Sequence, residues 1–140
     1  MEIRFFRSSL EGGENLEDWK IKIAVLWLVY EVAGIWIGLI EHYIPGFVEE
    51  AVAQTTPEMV LMLVVIEMIL PVMALLTLTL KDSINRWLNI IVGIVFIVLL
   101  PIGIVGFPAA YLPSLIVIAI VQFVAAAMIV WLAWKSKPKA

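Results

Sequence analysis

The sequence predicts an all-α membrane protein, a bundle of four transmembrane helices with both termini cytoplasmic. Three observations carry that expectation. First, 64% of the 140 residues are hydrophobic and mean hydropathy is +1.08. Soluble domains are about half apolar and could not hide so much apolar surface. Second, the apolar residues fall into stretches long enough to cross a bilayer core, for which about 20 residues suffice. Third, all nine Lys and Arg residues fall at one side of such a path. Arg4, Arg7, Lys20 and Lys22 precede the first span. Lys81 and Arg86 lie between the second and third, and Lys135, Lys137 and Lys139 follow the fourth. The positive-inside rule turns this into a topology. The expected location is the cell membrane, as a multi-pass protein.

Residues 1–140 form one membrane domain, with no room for a separate catalytic domain. The N-terminus, 1–18, mixes Ile3, Phe5 and Phe6 with Arg4 and Arg7 and then Gly12-Gly13. It fits an interfacial segment followed by a hinge, or a loosely ordered tail. Asn15 followed by Asp18 fits a helix start. The first span covers about 22–40, with Trp19, Lys20 and Lys22 as interface anchors. It exceeds a typical signal core and no small-residue cleavage site follows, so it is expected to stay uncleaved.

Pro45-Gly46 breaks this helix. Phe47, Val48, Ala51 and Val52 with Glu49 and Glu50 suggest a short amphipathic turn on the membrane. Thr55-Thr56-Pro57-Glu58 then combines a Thr cap, Pro at the first helical position and an early acid, which starts the second span at about 58–80. A tight turn over 81–84 leads into the third. From Trp87 to Trp134 no residue is charged, and one helix of about 48 residues would be about 72 Å long, over twice the core thickness. Gly106-Phe107-Pro108 and Leu112-Pro113-Ser114 therefore mark a hairpin between a third span at about 84–105 and a fourth at about 113–134. Pro101 is expected to bend the third. Residues 135–140 form a basic tail.

Candidate chemistry is sparse. Glu31 and Glu67 both fall near the membrane midplane, where an ionised carboxylate costs several kcal/mol. Each should face protein or water. Glu31 shares a helical face with Gly34 and Gly38, a small-residue packing pair, and Glu67 shares one with Pro71 and Ala74. On the fourth span Gln122 lies among Ala119, Ala125 and Ala126. Two close carboxylates would share a proton. Glu31, Glu67 and Gln122 are thus a candidate site for a proton or for a small polar or cationic ligand. The alternative is interhelical hydrogen bonding that fixes helix register.

Asn85, Arg86 and Asn89 form a second candidate, a lipid-headgroup or anion site at the cytoplasmic boundary. Arg86 and Trp87 also suit plain interface anchoring. His42 is the only histidine and there is no cysteine. That excludes disulfides and thiolate chemistry, and one histidine among loop acids makes a poor metal site. No nucleophile-base set or phosphate loop is present. Neither enzyme activity, a cofactor, a bound metal nor nucleic-acid binding is expected.

Three places resemble a family of small four-helix membrane proteins known mainly as a domain of unknown function. They are Ala24-Val25-Leu26-Trp27, the Glu67 to Pro71 region, and Asn85-Arg86-Trp87-Leu88-Asn89-Ile90-Ile91 with Gly93. The resemblance covers most of residues 20–134. It implies a four-helix membrane fold and no established activity. Two functional expectations remain open. One is binding or transport of a proton or small ligand, in which case a homo-oligomer is expected. The other is a structural or accessory subunit of a larger membrane complex.

Overall fold

The computed structural model describes residues 18–136. The interfacial segment, the Gly12-Gly13 hinge and the Asn15 helix start expected from the sequence lie outside the described residues, as does most of the basic tail. Five α-helices run in order: α1 (Asp18–Glu41), α2 (Phe47–Gln54), α3 (Pro57–Thr79), α4 (Asp82–Ile104) and α5 (Leu112–Lys135). A short 3-10 turn, Ala109–Tyr111, precedes α5. The helices α1, α3, α4 and α5 are long and apolar enough to cross a membrane. Their ends fall close to the four spans expected from hydropathy.

Local signals set those ends. Thr56 is the N-cap of α3: its hydroxyl accepts from Met59 N at 3.3 Å, and Pro57 takes the first turn, where its missing N–H costs nothing. The bend after α1 needs a left-handed residue, supplied by Gly46 at φ 75°. The α4–α5 hairpin turns at Gly106, φ 103°. The α3–α4 turn is tighter than expected, because α4 already starts at Asp82. Helix α4 runs on through Pro101 to Ile104. The amphipathic turn expected over 47–52 is a full two-turn helix, α2.

Helix α1 sits between α5 and α3, and α4 packs mainly on α5. Helix α4 comes close to α5 at Gly93, where a Cβ would stand 2.7 Å from Val130 Cγ2. Two sets of contacts gather the helix ends. At one end Lys20 pairs with Asp82, while Arg86 reaches the carbonyls of Ala133 and Trp134 at 3.1 and 3.0 Å. Lys20, Lys22, Lys81, Arg86 and Lys135 therefore collect at this basic end. At the other end Phe47 stacks on Phe107 with centroids 5.0 Å apart, and Tyr111 donates to the Tyr43 carbonyl at 3.5 Å. Glu41, Glu49, Glu50 and Glu58 make this the acidic end.

Packing is uneven with depth. Ile23, Trp27, Leu70, Met73, Thr77, Asn85, Asn89 and Ile129 are all buried toward the basic end. From Pro57 to Ile69, the acidic half of α3, every residue is exposed except Ile66, which is half-buried.

Candidate functional site

Helix α1 carries the site because its two flanks meet different neighbours. Trp27, Tyr30 and Phe96 form an aromatic layer, with centroids 5.5 to 6.4 Å apart and rings mostly edge to face. Tyr30 donates its hydroxyl to the Phe96 carbonyl at 3.5 Å. Below this layer, toward the basic end, lies a dry polar network. The Trp27 indole N–H donates to Asn89 Oδ1 at 2.7 Å, and the Thr77 hydroxyl approaches the same oxygen at 3.1 Å. Asn89 Nδ2 donates to Asn85 Oδ1 at 2.7 Å and to the Asn85 carbonyl at 2.8 Å. Asn85 Nδ2 in turn donates to the Thr77 carbonyl at 2.6 Å. All four side chains are fully buried. Every side-chain nitrogen and oxygen of the network finds at least one partner, so it ties α1, α3 and α4 together.

Glu31 and Glu67 sit at one depth, each about ten residues, or about 15 Å, from the acidic end of its helix. Their helices, α1 and α3, pack against each other. Among the described residues Glu31 Oε2 is the one buried side-chain polar atom without a hydrogen-bond partner. Glu67 itself is exposed. The two acids therefore share a depth on adjacent helices, with Glu67 at the side of the bundle rather than in its centre.

Gln122 lies at a similar depth on α5 but joins the other flank of α1. Its amide donates to the Tyr30 carbonyl at 3.3 Å and rests against Gly34, where a Cβ would be 3.3 Å from Nε2. Gln122 is thus a packing contact across α1 and α5, while Glu31 and Glu67 stand at one depth on the adjacent helices α1 and α3. The Gly34/Gly38 pair is split: Gly34 is used by Gln122, whereas a Cβ at Gly38 would meet nothing within 4 Å.

The headgroup trio also separates. Asn85 and Asn89 turn into the dry network, while Arg86 turns toward the end of α5, over the rings of Trp87 and Trp134. A phosphate could meet Arg86 but neither amide. His42 turns back to the Gly38 carbonyl, 2.9 Å from Nδ1.

Sequence reasoning did not single out Trp27 or Thr77 as parts of a site. The available signal was position. A tryptophan one-third of the way into a span is away from the interface, so its N–H needs a partner. Two further hollows flank the site. One, about 430 Å³, is an apolar groove between α1 and α5 lined by Val25, Val29, Trp36, Val117 and Val121. The other, about 450 Å³, lies under the acidic-end loops between Phe47, Glu50, Gln54 and Pro108. No protein-family model, curated protein or solved structure matches the chain.

Proposed function

We propose that the chain is an accessory subunit of the cell membrane, oriented with the basic end in the cytoplasm, that docks sideways onto a larger membrane complex. One observation carries this reading. The acidic half of α3 holds a carboxylate at mid-depth and, among the described residues, is left exposed except at half-buried Ile66. A glutamate facing hydrocarbon is costly, so a mid-span acid belongs against protein or water. The orientation follows from the gathering of Lys20, Lys22, Lys81, Arg86 and Lys135 at one end.

A photo-crosslinking residue at Leu61, Val64 or Met68 tests it in native membranes. The subunit reading expects protein adducts of discrete mass from these positions and only lipid adducts from Val117 in the α1–α5 groove. Lipid adducts alone at all four positions would sink it.

A second reading is favoured by the unpartnered Glu31 Oε2 at the depth of Glu67 on the adjacent helix. Here the pair holds a shared proton and passes it on. Infrared difference spectra should then show a protonated carboxyl band that disappears in Glu31→Gln and shifts in Glu67→Gln. Purified protein in liposomes should also collapse a pH gradient. Intact gradients would exclude this role.

A further inference from the structure

We propose that the uncovered strip shared by the acidic halves of α1 and α3 receives a partner transmembrane helix carrying a basic side chain at the depth of Glu67. The proposal rests on the subunit reading and names the chemistry of the partner.

The strip is built from both helices. Counting back from Glu67 by helical turns, Leu63, Val64 and Val60 continue its face, and they are 56%, 49% and 49% exposed. The same face toward the basic end, at Leu70 and Ala74, is buried. A side of α3 that packs in one half is therefore bare in the other. On α1 Glu31 and Gly38 lie two turns apart on one face, and Gly38 has open space in front of it. A small residue beside open space lets another backbone come close, which is how helices associate where lipid offers no hydrophobic drive.

Charge complementarity selects the occupant. At this depth the strip offers the exposed Glu67 carboxyl, while Glu31 Oε2 lies buried on α1 without a hydrogen-bond partner among the described residues. Tyr30 gives its hydroxyl to the Phe96 carbonyl and Gln122 gives its amide to the Tyr30 carbonyl, so neither serves the pair. The basic side chains of the described residues are at the far end. Lys81 follows Glu67 by about 14 residues, or about 21 Å of helix. His42, at the opposite end, faces the Gly38 carbonyl.

Two other occupants fit less well. Lipid chains bring no donor. A second copy packed in parallel through α3 would set Glu67 against Glu67 and add two carboxyls without adding a base. An amine or guanidinium from a foreign helix offsets the buried charge of both partners at once. The α1–α5 groove makes the contrast. It is purely apolar, and lipid chains can fill it without leaving a polar group unmet.

The test uses full-length protein in liposomes and a synthetic peptide of about 20 leucines with one central Lys. An all-Leu peptide is the control. The chain has no cysteine, so a single Met68→Cys supplies a clean fluorophore site for energy transfer to a labelled peptide. The Lys peptide is expected to bind at least about tenfold more tightly than the Leu peptide. Glu67→Gln should erase that preference. Gly38→Leu should weaken both peptides by filling the strip while leaving each carboxyl in place. Three results would each overturn the proposal: equal binding of the two peptides, a Lys preference that survives Glu67→Gln, or copies of the chain pairing through the strip and excluding the peptide. Failure of the subunit reading itself shows elsewhere, as lipid-only photo-crosslinks at Leu61 and Met68.

Discussion

Asn89 is the hinge pin of the dry network, and replacing it with Leu tests what holds the basic half together. The substitution keeps size and removes the amide. Asn89 Oδ1 takes the Trp27 indole at 2.7 Å and the Thr77 hydroxyl at 3.1 Å. These two donors do not suffer equally. Thr77 also donates to the Met73 carbonyl at 2.7 Å and keeps that bond. The Trp27 N–H has no other acceptor and no exposure, so it is left unpaired in a dry site. An orphaned donor of this kind costs about 1–3 kcal/mol. Interhelical bonds in membranes average about 0.6 kcal/mol and reach about 1.7. Asn89→Leu should therefore destabilise by about 2 kcal/mol, through the orphaned Trp27 N–H and the Asn85 Oδ1 that loses its Asn89 donor. The direct measurement is a double-mutant cycle with Trp27→Phe, followed by equilibrium unfolding in mixed micelles. The expected coupling is about 0.6–1.7 kcal/mol, larger than for the matching cycle with Thr77→Val. A Trp27 coupling indistinguishable from zero, or a Thr77 coupling that exceeds it, would refute the assignment.

Four other perturbations discriminate between parts of the fold. Gly93→Ala should cost about 1–3 kcal/mol in the same unfolding assay, because its Cβ would press on Val130 Cγ2, and Val130→Ala should recover most of the loss. Gly38→Ala, with open space in front of it, should be neutral or mildly stabilising, since Ala favours helix by up to about 1 kcal/mol. Arg86→Lys cannot reach the Ala133 and Trp134 carbonyls together, so amide exchange in the last turn of α5 should quicken several-fold while global stability falls by less than about 1 kcal/mol. Phe107→Ala removes the stack on Phe47, worth about 0.5–1.5 kcal/mol, and should raise exchange in the acidic-end hairpin without touching the basic end.

What the sequence made legible follows from local physics. The span ends are set by hydropathy, the α3 start by the Thr56-Pro57 pair, and the two loop bends by glycines beside prolines or aromatics. Each of these needs only neighbours in sequence. The pairing of faces does not. Helix α3 is apolar on every side, so nothing in its pattern says which residues of the acidic half meet protein. Only Glu67 marks a face, and that face turns out to be uncovered. Glu31 and Glu67 share a depth, which the spacing predicted, whereas Gln122 meets α1 at the Tyr30 carbonyl and Gly34, which spacing alone does not say. Depth is readable along a chain, whereas azimuth depends on partners. The separation of Asn85 and Asn89 from Arg86 was readable. Residues four apart share a helical face and the adjacent one points about 100° away. Treating 85, 86 and 89 as one site followed sequence proximity instead of the helical period.

The unequal packing of the two halves has one cause and one consequence. Between helices surrounded by lipid, apolar contact gives little net drive, so association relies on close packing and on polar bonds with no alternative partner. The basic half has both. Gly93 and the alanines of α5 bring backbones together, and Trp27, Thr77, Asn85 and Asn89 have only each other and nearby carbonyls. The acidic half has neither across α1 and α3. Its polar groups there are two acceptors of the same sign, and Gly38 has nothing to approach. It is held instead by the loop contacts of Phe47 with Phe107 and Tyr111 with Tyr43. A bundle closed at one half by its own donors and acceptors, and left with acceptors at the other, is what the proposed partner helix would complete. The cations of the described residues gather at the opposite end, so on that proposal the donor arrives within the membrane.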